Sequence, residues 1–436
     1  MISQLPIQRS EESLSSSSTQ HELPQLGLSL TDASTSSSSN AYTSSKWMAI
    51  LDLLLVKFHP VYFVIVMGTG ITSAVLYNFP IDSIRVGSKY VGIVFFFINL
   101  VAFFVIHILF FLRYFCFYKR YDNVSFISLL KNHRLNVFLG AEVMGICTII
   151  NMIHYLKPNW RIFTYCLWWI NVVLSFLSAW GIAFIMFAIN EYKNTDLNAT
   201  ISLPIVTLTV TASTGCIVGS SFMDYPMWQL STDIVTYMLW GNAIMMSLPL
   251  ISVYFYKLLV FGIPQKKNIY SSFIPIGIMG QGAYAILLNF SNLGTLIVEH
   301  DGLSILGLNH DFSKETLLLV QSMLHLSSIS ISLFLMSMGF ALTVIAISSI
   351  LKYGIYHKWV KTMWAATFPM GTMSVGFTQI YHITGLLGFK IMGTIYGVML
   401  ILITTFCLVN TFLYEFPHRK VFDIIRGNDK TEKQEV

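Results

Sequence analysis

The chain has 436 residues, of which 55% are hydrophobic and only 11% charged. Soluble domains carry roughly a quarter charged residues, so the composition excludes a water-facing surface for this much chain and fits lipid as the solvent. The net charge of +5 does not point to nucleic acid, because the basic residues fall in short segments between apolar runs, where orientation in a membrane accounts for them.

Residues 1–45 are rich in Ser and Thr, with runs at Ser15–Ser18 and Ser36–Ser39, and lack the apolar segment of a secretory signal. They read as a disordered cytoplasmic tail. Residues 46–416 read as one ten-helix transmembrane domain and residues 417–436 as a second cytoplasmic tail. Apolar runs place spans near 60–80, 90–113, 135–156, 161–190, 201–222, 232–260, 271–293, 316–351, 359–379 and 391–414; about 20 residues cross the hydrocarbon core. With the N-terminus inside, 20 of the 26 Lys and Arg residues fall on the inner side, which predicts cytoplasmic termini. Trp47, Trp160, Trp228 and Trp359 lie near span ends, where amphipathic rings favour the interface.

The spans are not alike. Odd-numbered spans hold 11 Gly and 5 Pro, even-numbered ones 6 Gly and 1 Pro, although the even spans are longer in total. Close packing around an axis, or backbone opened to a water-filled route, needs small residues; contact with lipid does not. The expected architecture is therefore an all-α membrane protein of five helical hairpins around a common centre, odd helices inside. A weak repeat accompanies it: Met67-Gly68, Met144-Gly145, Met279-Gly280 and Met370-Gly371 in four odd spans, with Thr214-Gly215 in the fifth.

An anion crossing such a bundle must exchange its water for cations, hydroxyl or amide donors, or helix N-termini. No Lys or Arg is expected deep in a span. The predicted path is lined instead by small and hydroxyl residues: Gly68, Thr69, Gly70 and Thr72 in the first span, Gly145 in the third, Thr214 and Gly215 in the fifth, Gly280 and Gln281 in the seventh, and Pro369, Gly371 and Thr372 in the ninth. Ordinary interhelical packing is the competing reading of each. Pro275 and Pro369 are read as mid-span kinks, where a freed carbonyl could line the route. Glu142 is the one carboxylate expected well inside a span, a candidate proton or anion-entry site; His107 and His325 read as packing residues. Glu299, His300, Asp301, His310 and Asp311 fall in one outer loop without a metal-ligand spacing, and the five cysteines form no C-x-x-C pair and read as free core thiols. No cofactor and no metal is called for, and a membrane enzyme would need a polar catalytic cluster that is not evident.

The stretches HPVYFVIVMGTGITS from His59, PIGIMGQG from Pro275, TFPMGTMSVG from Thr367 and GTIYGVML from Gly393 resemble the fungal sulfite efflux pumps of the tellurite-resistance/dicarboxylate transporter family, relatives of plant slow anion channels. The resemblance runs from about Trp47 to Tyr414. It implies ten helices in five hairpins, a pore in each subunit of a homotrimer in the plasma membrane, sulfite or hydrogensulfite as substrate, and a phenylalanine on the ninth helix that occludes the pore. By motif that residue is Phe368. A C4-dicarboxylate such as malate, or a general anion channel activity, is the alternative on the same fold.

Overall fold

The computed structural model describes residues 38–121, 123–189, 198–300, 307, 312–354, 357–417 and 421, with side chains from residue 46 onward. The described residues from Met48 onward belong to one compact unit. A helix, α1 (Ser38–Lys57), begins within the stretch expected to be a disordered tail; residues 1–37, the loop residues Asp301, His310 and Asp311, and most of the C-terminal tail lie outside the described residues.

Among the described residues the fold is helical, with no strand. The long helices come in consecutive pairs that pack side by side. Helix α2 (Phe63–Tyr77) pairs with α3 (Asp82–Phe111). Two short helices, α4 (Phe126–Lys131) and α5 (His133–Asn136), lead into α6 (Leu139–Leu156). Its partner α7 (Arg161–Phe176) runs through a π-helical turn, Leu177–Gly181, into α8 (Ile182–Ile189). Helix α9 (Leu203–Gly219) pairs with α10 (Pro226–Phe261), α11 (Ile274–His300) with α12 (Lys314–Lys352), and α13 (Thr367–Thr384) with α14 (Leu387–Asn410). The first members also touch one another in sequence, α2 to α6 to α9 to α11 to α13 and back to α2, which closes a ring.

Burial separates the two layers. The apolar windows of α2, α6, α9 and α11 are 67–89% buried, whereas those of α3, α7–α8, α10, α12 and α14 are 17–39% buried. Nine segments among the described residues are long and apolar enough to cross a membrane. Helix α13 is not one of them. Its Thr, Ser, Gln and His residues lower its mean hydropathy, and it has no need of a lipid-facing surface because most of its side chains are buried by α2, α11 and α14. Polar residues are tolerated at membrane depth where protein surrounds them.

Glycine sets how closely the inner helices approach. A Cβ on Gly280 would stand 2.7 Å from both the Met373 amide nitrogen and the Thr372 carbonyl carbon, so α11 and α13 meet backbone to backbone. Gly140 meets the Leu203 carbonyl oxygen in the same way at 2.7 Å, joining α6 to α9. Such contacts replace a hydrophobic driving force, which lipid does not supply between helices.

The prolines read as mid-span kinks stand elsewhere. Pro275 is the second residue of α11 and Pro369 the third of α13, each just after a 3-10 segment, Lys266–Phe273 and Lys361–Ala366. Helices α2 and α9 are likewise entered through 3-10 turns, Pro60–Tyr62 and Ala199–Ser202. The first turn has no intrahelical amide bond to lose, so proline fits there without breaking the helix. Hydropathy also placed the second span too late: α3 starts at Asp82, because its first two turns carry Arg85 and Lys89 and are polar.

Candidate functional site

Phe368, on the first turn of α13 and 2% exposed, borders two cavities inside the inner ring. The first, about 50 Å³, is walled by Val61, Val64, Met67, Met144, Leu203, Val206, Ile274 and Gly277, with Lys361, Thr362, Thr200 and Ser271 as its polar members. The second, about 230 Å³, is walled by Thr148, Asn151, Tyr155, Gln281, Tyr284, Thr378, Gln379, Arg85 and His382 beside Ile71, Ala74 and Val210. Along α2, α9, α11 and α13 the residue numbers rise from the first cavity to the second. These helices therefore run parallel, and their N-terminal turns gather around the apolar chamber. Aligned helix dipoles place partial positive charge there in addition to any side-chain charge. Gly277 faces the Phe368 ring: a Cβ there would lie 3.7 Å from that ring and 3.6 Å from the Pro369 ring, ordinary van der Waals contact.

Beyond the apolar chamber lies a wider vestibule of about 620 Å³, which shares Phe138, Thr200, Ser271 and Thr362 with it and is lined by His133, Arg134, Lys257 and Lys267. Lys361 at the chamber wall is neutralised. Its Nζ lies 2.9 Å from Glu415 Oε2 and donates to Tyr62 Oη at 2.9 Å. His59, just before the first 3-10 turn, accepts from the Val61 amide at 3.0 Å through Nδ1. Burial, helped by the Lys361 charge, brings its pKa down to about 4, so His59 stays neutral at physiological pH.

Of the residues predicted to line the path, Phe368, Pro369 and Gln281 are in these cavity walls. The others are not, and the reason is packing. Gly68 abuts Thr367 and Trp364, Gly70 abuts Thr148 and Asn99, Gly145 meets Val66, Gly215 meets Trp168 and Thr236, Gly280 meets Met373, and Gly371 meets Ile71. Thr69 bonds to Asn99 Oδ1 on α3 at 2.7 Å, and Thr72 to Thr404 on α14 at 2.8 Å, both turned outward. Thr372 donates to the Pro369 carbonyl at 2.8 Å, and Thr214 is fully buried. Composition identifies an inner helix but not which of its faces looks at the axis.

Glu142 also departs from expectation. It sits in the first turn of α6, where a carboxylate suits the helix dipole, and its Oε1 lies 3.1 Å from His107 Nε2 on α3. It faces an outer helix and is absent from all three cavity walls. The more deeply buried acid is Asp233, 3% exposed in the second turn of α10, with no hydrogen-bond partner on either carboxylate oxygen. Its predicted span began at residue 232, which hid it at a boundary. Three of the five cysteines are buried as expected; Cys116 and Cys166 are exposed instead, on the outer helices. Among the described residues no three metal-ligating side chains converge. Arg85 and His382 went unnoticed, yet the spacing of Asp82, Arg85 and Lys89 marks one face of a helix and held the signal.

A polytopic helical bundle with a ring of parallel inner helices around chambers whose walls hold hydroxyl, amide and basic groups has the architecture of a membrane transporter or channel. The chain belongs to the voltage-dependent anion channel (SLAC1) family, whose pattern it matches over residues 57–412. It is similar to the sulfite efflux pump SSU1 of Candida albicans, 33% identical over 393 residues that span 84% of this chain and 76% of that one. The SSU1 pump of Saccharomyces cerevisiae is 29% identical over 414 residues, 83% of this chain and 88% of its own. That of Arthroderma benhamiae is 26% identical over 362 residues, 81% and 88%.

Proposed function

We propose that this protein exports sulfite or hydrogensulfite across the plasma membrane, through a path within each subunit that the Phe368 ring closes. The observation that carries the reading is the position of that ring, in the wall of both chambers at once. An aromatic plug gates without fixed charge: rotation of one side chain joins the chambers, and no buried cation holds the anion back. The parallel N-terminal turns lower the cost of an anion in the apolar chamber. The curated relatives above, all sulfite efflux pumps, support the substrate. The inner-side excess of basic residues supports cytoplasmic termini and makes the basic vestibule the entry side. The functional assembly is a homotrimer, by analogy with the family.

The test is flux from liposomes loaded with sulfite, chloride, nitrate or malate and carrying the purified full-length protein. Sulfite efflux well above that of protein-free liposomes is expected. Malate flux with none for sulfite would overturn the assignment.

A further inference from the structure

The mouth of the polar chamber is cationic. Helix α3 opens with Asp82, Arg85 and Lys89 on one face. Arg85 is part of the chamber wall. The carboxylate nearest to it, Asp82, is engaged by Lys390 of α14 at 3.0 Å, against 3.9 Å to Arg85. Two cations thus share one carboxylate, and the group keeps a net positive charge. Lys89 adds to it: its Nζ stands 4.7 Å from the centre of the Tyr77 ring, which stacks at 5.7 Å on Tyr155 of the same wall. Beside apolar residues and His382, the rest of the wall presents amide and hydroxyl groups, among them Asn151, Thr378 and Gln379, and no carboxylate.

A volume of about 230 Å³ holds a small oxyanion together with a few waters, each of which takes about 30 Å³. A guanidinium offers two parallel N–H bonds to two oxygens of one anion. The Arg85 side chain is 52% exposed, so the anion it holds stays partly hydrated and is released.

We infer that the polar chamber is an anion-binding subsite in which Arg85 holds a small oxyanion on the far side of the Phe368 barrier. This rests on the export reading above and adds a consequence: oxyanion outside the cell reoccupies the subsite and slows efflux. Arg85 there sets how much external anion is needed to do so, with Lys89 contributing a weaker, longer-range attraction.

The experiment uses the full-length protein in liposomes loaded with sulfite, with graded sulfite outside. For the wild type, external sulfite should slow initial efflux, and less so when potassium gluconate raises the ionic strength. Arg85→Gln should raise the half-inhibiting concentration about tenfold, Arg85→Lys by no more than about threefold, and Lys89→Gln by about twofold. A half-inhibiting concentration for Arg85→Gln equal to that of the wild type sinks the subsite and leaves the export reading intact. Sulfite should also raise the thermal unfolding temperature of the detergent-solubilised wild type and do so less for Arg85→Gln. This second measurement reads the subsite without flux; equal protection of both proteins overturns it. Should Arg85→Gln fail to fold, Lys89→Gln and the salt dependence of the wild type decide in the same way.

Discussion

Gly280 on α11 and Gly241 on α10 belong to helices that touch, yet a Cβ on the first meets backbone atoms at 2.7 Å and a Cβ on the second meets nothing within 4 Å. The same residue is a tight contact in the inner ring and a bystander in the outer one. Leucine shows the converse: Leu208 on α9 is 1% exposed and Leu259 on α10 is 87% exposed. Outer helices spend apolar bulk on lipid and tolerate substitution. Inner helices need small residues for approach and carry most of the side chains that wall the two chambers.

The contrast breaks most visibly at the glycines. Gly280→Val should destabilise the fold by more than about 3 kcal/mol, since backbone on both sides of the contact has nowhere to move. Gly241→Ala should be neutral or stabilising by about 0.5–1 kcal/mol. Thermal unfolding in detergent, with monodispersity as a second readout, compares the two; equal effects would erase the distinction between layers.

Next in size is the effect expected at Phe368 if its ring closes the path as proposed. Phe368→Ala should raise anion flux about tenfold or more with folding retained, while Phe334→Ala on α12, 72% exposed, should leave flux unchanged. Flux that stays level or drops in folded Phe368→Ala protein argues against the gate.

A smaller effect is expected at the start of the inner ring. The folded protein holds the His59 pKa at about 4, below its ordinary 6.5, through burial and the Lys361 charge. The contribution of neutral His59 is therefore complete above pH 6.5 and is lost as pH falls toward 4. His59→Asn keeps an acceptor for the Val61 amide and should flatten that part of the stability profile. A profile as steep as that of the wild type would assign the loss to other groups.

The smallest change is expected at Glu142, whose bond to His107 joins an inner helix to an outer one. Glu142→Gln should cost no more than about 1 kcal/mol, as partly exposed pairs do, and leave the pH dependence of transport as it was. A shifted transport profile would bring Glu142 back to the path.

Much of this was legible in the residues themselves. The excess of Gly and Pro in alternate spans forecast the inner and outer layers, because close approach between helices has few chemical solutions. The motif at Thr367 singled out Phe368 on the strength of a family resemblance. The Gly and Thr candidates lie outside the walls of the two chambers for a reason that also lies in helix geometry. A helix surrounded on every side is small and apolar all round, so its composition carries no phase, and Thr69 and Gly371 look alike whether they face the axis or a neighbour. Asp233 and Arg85 were missed because hydropathy places span ends several residues from where hydrogen bonding ends the helix.

Sequence alone determined that this chain lives in a membrane, that it is helical, and which helices lie inside, since these follow from transfer free energy and side-chain size summed over whole segments. Only the tertiary structure decided which atoms meet in the middle. It turned the prolines into helix starts, aimed Thr69 and Thr72 outward, set Phe368 between an apolar and a polar chamber, and brought Arg85 to the rim of the second. Those choices depend on the rotation of each helix about its own axis, a quantity fixed by contacts between segments far apart in the chain.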